Sequence, residues 1–196
     1  MVVWTPTTMN PSSRYADDRP RLVAVARRVT AMPPLAVLRL APSGVQRVHW
    51  QHADDELAFA GWGIATEIVA YGRDRFASIK MQSDALFADA QLDLPSEAAP
   101  RLVGGFAFRD DFAAADGVWA AFPSAYFMLP RVQYTRIGDD AWLTISQIAQ
   151  PDEASDGVID WLNDELDHLS ALLDERATAD HDAPHAHTIQ YPLTRA

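Results

Sequence analysis

Apolar residues along this chain recur at two spacings, and the change from one to the other marks the elements. RLVAVARRVT, residues 21–30, alternates loosely and is β-branched enough for a strand. Pro33 and Pro34 stop it, and Leu35 to Leu40 then read as one or two helical turns opened by those prolines. Val48 and Trp50 stand two apart, as do Leu57 and Phe59, with His52, Ala53, Asp54 and Asp55 between the runs as turn chemistry. That pattern predicts a hairpin. Ile64, Thr66 and Ile68 carry the period of two on to Gly72.

A helical period follows. Asp74 serves as N-cap, Phe76, Ile79, Leu86, Phe87 and Ala90 share one face, and Arg75, Gln82, Asp84 and Asp89 take the other. After a loop from Pro95 to Pro100, RLVGGFAFR reads as a strand over 101–109, with Leu102, Phe106 and Phe108 on one side. VWAAFP at 118–123 lies beyond a second loop. Tyr126 to Ile137 and Ala141 to Ala149 read as two strands joined at Gly138-Asp139-Asp140. In the second, Leu143 and Ile145 alternate with Thr144 and Ser146, which predicts one dry face and one wet. A last helix spans 156–176, capped by Ser155, with Val158, Ile159, Leu162, Leu166, Leu169, Leu172 and Leu173 as a long apolar stripe. The expected organisation is an irregular lead-in at 1–19, an α+β domain at 20–177 and a linker at 178–196. The domain is an antiparallel β-meander sheet with two main helices packed on it.

Composition sharpens this only in places. With 196 residues, 48% of them apolar, the chain is long enough for a real core. A net charge of −11 and a pI near 4.8 argue against nucleic acid or an anionic membrane as partner. The absence of cysteine removes disulfides, thiolate nucleophiles and Cys-based zinc sites together. Residues 1–20 lack a basic region followed by an apolar one, and no apolar run is long enough to span a bilayer, so the expected location is cytoplasmic.

The search for chemistry returns little. The pairs Asp17-Asp18, Asp54-Asp55, Asp110-Asp111 and Asp139-Asp140 fall in turns or strand ends, where solvated residues are the better reading. His181, His185 and His187 sit in a polar stretch without the rigid elements a metal site needs, and His49 stands alone on a strand. Gly61-Trp62-Gly63 and Gly104-Gly105 lack the rest of a phosphate-binding fingerprint and fit close approach of a neighbouring backbone or ring instead. Lys80, the only lysine, falls mid-helix on an exposed side, and the six tryptophans are spread rather than clustered. No catalytic, cofactor-binding or metal-binding residue is assigned.

Three blocks, taken in order, point further. FAGWGIATEIVAYGRDRF at 59–76, RLVGGFAFRDDF at 101–112 and VWAAFPSAYFMLPRVQYTRIGDDAWLTIS at 118–146 together resemble the amino-terminal part of isochorismate synthases of the menaquinone or siderophore type. These belong with the chorismate-utilising enzymes, and the resemblance covers roughly residues 20–196. It implies a Mg²⁺-dependent conversion of chorismate to isochorismate, in which water adds at one ring carbon while a hydroxyl leaves from another. It further implies a lysine as general base, a glutamate as general acid and other glutamates on the metal, all in a carboxy-terminal chorismate-binding half. IQYPLTRA at 189–196 resembles the approach to that half, so none of these roles maps onto this sequence. Two readings follow: an amino-terminal portion inactive by itself, or a free-standing non-catalytic module for regulation or partner binding. Either way, the stripe of helix 156–176 and the Phe106/Phe108 face are the expected apolar surfaces for the missing half or for self-association.

Overall fold

A computed structural model describes residues 2–4, 19–52, 57–109, 122–151, 153 and 155–181. Among these described residues, ten strands are laid out in chain order as β1 (Val2–Trp4), β2 (Arg21–Val29), β3 (Arg47–Gln51), β4 (Leu57–Trp62), β5 (Thr66–Ala70), β6 (Gln91–Asp93), β7 (Leu102–Phe106), β8 (Ala125–Leu129), β9 (Val132–Ile137) and β10 (Asp140–Ala149). Three α-helices join them: α1 (Pro34–Val37), α2 (Arg75–Ala88) and α3 (Ser155–His181). The α+β expectation holds, with α2 and α3 as the two main helices on antiparallel sheets.

The strands divide between two sheets, ordered β3-β4-β9-β10-β2-β6 and β1-β7-β8-β5, and β6 alone runs parallel to its neighbour. One bent ribbon links them. β4 pairs with β9 in the larger sheet and β5 pairs with β8 in the smaller, so the same two stretches of chain serve both. The bend falls where backbone chemistry allows it. Gly63 takes φ +65, a region that disfavours side chains, and lies opposite Arg131; next to Arg131, Pro130 has no N–H to continue a ladder. Gly61 admits that proline: a Cβ there would stand 2.9 Å from Pro130 Cβ. Tyr126 to Ile137 is therefore two strands rather than one, because the proline interrupts a run whose apolar pattern is continuous.

Two core clusters among the described residues hold the sheets, and the second also takes in Leu22 of β2 from the larger sheet. On one face of the larger sheet, Val25, Trp62, Tyr134, Leu143 and Ile145 pack against α1 and α3. Tyr134 also clamps the turn before α1, its hydroxyl accepting from Met32 N at 2.8 Å and donating to Met32 O at 2.9 Å. On the smaller sheet, Ile68, Leu102, Phe127 and Leu129 pack with Ile79 and Phe87 of α2.

Several expected positions move. α3 lays Leu162, Leu166 and Leu173 on the larger sheet at 0% exposure, so the centre of its stripe is core, with Ile159, Leu169 and Leu172 half-buried beside it. It also runs on to His181, into the stretch expected to be linker. Val2–Trp4, expected to be irregular, pairs antiparallel with β7. In α2 the buried positions are Arg75, Ile79, Ser83 and Phe87, spaced by four, while Phe76 is 55% exposed. Arg75 therefore turns inward, where its guanidinium reaches Gly72 O at 3.2 Å and Ala107 O at 3.4 Å. Asp74 precedes the helix as expected, but its side chain makes no capping bond.

Thr144 and Ser146 are not on a wet face either; both are buried. The segment between β6 and β7 covers them and is fixed by polar groups. Thr144 donates to Ala98 O at 2.8 Å, and Gln133 accepts from Arg101 N at 2.9 Å while donating to Ala99 O at 3.0 Å. Arg101 itself donates to Thr135 Oγ1 at 2.9 Å and to Glu97 O at 3.0 Å. Burial holds its pKa below the ordinary arginine value. Polar side chains alternating along a strand here mark an interior seam rather than solvent: Thr144, Gln133 and Arg101 are paired within it, while the buried Ser146 hydroxyl has no partner among the described residues.

Candidate functional site

The residues singled out for chemistry are scattered. Asp139 and Asp140 lie at the β9–β10 turn, where Asp140 is ion-paired with Arg28. Lys80 is exposed and paired with Asp84 one turn on, at 2.5 Å. His49 is exposed on β3, an edge strand. His181 closes α3, and Asp17-Asp18, Asp54-Asp55, Asp110-Asp111, His185, His187 and Trp119 lie outside the described residues. Gly104 and Gly61 serve close approach, as expected.

What the fold does assemble is an aromatic end. β7 delivers Phe106, the chain just beyond it Phe108 and Arg109, and the entry to β8 Phe122, Pro123 and Tyr126. Together they line an open groove of about 570 Å³. Phe76, turned out of the α2 core face, stacks on Phe106 with ring centroids 4.2 Å apart, and Phe106 meets Phe127 edge-on at 5.1 Å. Phe108 is 102% exposed and Phe122 60%. Of the expected Phe106/Phe108 face, Phe108 is exposed but stands past the strand's end, while Phe106 is half-buried against the smaller sheet's core.

One polar pair borders this groove. Tyr126 donates its hydroxyl to Glu67 across the β5–β8 pair. Its pKa is pushed up to about 12, first by burial and then by the Glu67 carboxylate, which accepts the proton's hydrogen bond and repels a phenolate. A folded-state value above the ordinary 10.0 means that this contribution is complete below pH 10.0 and is lost as pH rises through about 12. In a spectrophotometric titration, the component that disappears in Tyr126→Phe is expected near pH 12 and to move towards 10 in Glu67→Gln. That Tyr126 component appearing already at 10 in the unaltered chain would contradict the pairing.

A second polar cluster pins the ribbon's bend to α3. Arg131 is ion-paired with Glu165, donates to Ser146 O at 3.2 Å and stacks over Trp161 at 4.9 Å. Sequence spacing reveals neither this cluster nor the Arg101 seam, because Arg131 meets Glu165 and Arg101 meets Gln133 and Thr135 only through the packing of distant elements.

Residues 10–193 match the family model for chorismate binding enzymes. The chain belongs to that family. All three blocks that carry the resemblance, 59–76, 101–112 and 118–146, lie inside the match. Within this chorismate-binding family the chain is 35% identical over 167 residues to the salicylate biosynthesis isochorismate synthase of Pseudomonas aeruginosa. The aligned region takes in 83% of this chain but 32% of that protein, so the chain spans about a third of that relative's length. It is also similar to the solved menaquinone-specific isochorismate synthase from Escherichia coli, at 16% identity and a TM-score of 0.44, over 74% of this chain and 29% of that one. That likeness is too distant to carry a geometric argument.

The described residues of this family member do not suit the Mg²⁺ that the resemblance implies. Among them, no three histidines, aspartates or glutamates gather as ligands. Glu165 already answers Arg131 and Glu67 accepts from Tyr126, so no step through a metal is assigned to them. No helix among the described residues is long and apolar enough to cross a membrane.

Proposed function

We propose that this chain is the amino-terminal portion of an isochorismate synthase, that it works in the cytoplasm, and that it does not convert chorismate by itself. The observation that carries this is the pairing of a family match over nearly the whole chain with alignment to only 32% of the Pseudomonas aeruginosa isochorismate synthase. On this reading the lysine base, the glutamate acid and the magnesium-binding glutamates belong to the carboxy-terminal chorismate-binding part. The present residues contribute a two-sheet scaffold, and the parent reaction serves menaquinone or siderophore synthesis. Purified chain supplied with chorismate and Mg²⁺ is expected to leave the chorismate unconverted. Steady formation of isochorismate would overturn the reading.

The partner surface on this reading is the aromatic end, which seats the carboxy-terminal part and, without it, a second copy of the chain. Exposed Phe108 and Phe122 beside Phe106 support this. Light scattering is expected to give a mass that rises with concentration above 21.6 kDa and falls back towards it in Phe108→Ser. A strictly monomeric chain at high concentration, or association indifferent to Phe108→Ser, would count against it. The alternative, a free-standing regulatory or partner-binding module, is favoured by one observation: Leu162, Leu166 and Leu173 of the α3 stripe are already buried inside the chain. A strictly monomeric, cooperatively folding chain without turnover is the outcome that reading expects.

A further inference from the structure

We draw no further inference here: the strongest candidate, the first turn of α2 where buried Arg75 holds its guanidinium against the Gly72 and Ala107 carbonyls, carries nothing because its unpartnered Nε is closed off from solvent and nothing among the described residues shows what would bind there.

Discussion

Gly104→Ala is expected to destabilise the chain by about 3 kcal/mol, a loss at the upper end of what overpacking usually costs. The added methyl has no space to enter. Its carbon would lie 2.6 Å from Phe127 Cα and 2.8 Å from Phe127 Cγ, and closer still to the Tyr126 carbonyl oxygen. Two of those neighbours are backbone, so no rotamer change relieves the clash and β7 has to draw away from β8. β1 pairs on the other side of β7, with Val2 opposite Gly104, and the strain reaches it as well. For a chain of this size the loss corresponds to a fall in Tm of about 6–12 °C. Gly105→Ala is the control, because a Cβ there meets nothing within 4 Å. Its effect is expected to stay within about 0.5 kcal/mol, as for a surface substitution. Equal melting temperatures for the two variants would contradict the β7–β8 packing.

Leu166→Ala is the second large effect, with an expected loss of about 2–5 kcal/mol from transfer and cavity terms together. Leu166 is fully buried between α3 and the larger sheet, in the same cluster as Leu143, Ile145 and Leu162. His168→Ala, two positions on and exposed, is expected to change stability by no more than about 0.5 kcal/mol. Chemical denaturation of both variants provides the comparison. The pair also decides what the stripe is for. A stripe that served as a docking face would respond with a change in association and little change in the unfolding midpoint; a core stripe responds in the midpoint.

Much of the local structure was legible because it depends on neighbours. The strand at 21–29, the hairpin across 47–62 and the helices at 75–88 and 155–181 follow from spacing, β-branching and turn residues. The partition into two sheets was not legible. It depends on β2 pairing with β10 across more than a hundred residues, and on the ribbon bending at Gly63 and Pro130. Thr144 and Ser146 misled because alternation reports only which side a residue takes. Whether water or another segment covers that side depends on Ala98 to Arg101 folding over it. Arg75 misled for the opposite reason: its charge predicts exposure, and the four-residue spacing with Ile79, Ser83 and Phe87 overrides it. At the site, Phe108 was expected on the strand side it shares with Leu102, but it stands beyond β7 and is exposed while Leu102 is buried. The Tyr126–Glu67 pair could not be anticipated, because it needs the β5–β8 register.

On the proposed reading, this family member supplies scaffold rather than the chemistry of isochorismate formation. The most direct measurement is a single-turnover experiment, with purified chain in molar excess over chorismate, Mg²⁺ present and products separated by chromatography. Chorismate is expected to decay only at its rate in buffer, with no isochorismate accumulating. Isochorismate that appears in proportion to the amount of chain would contradict the account.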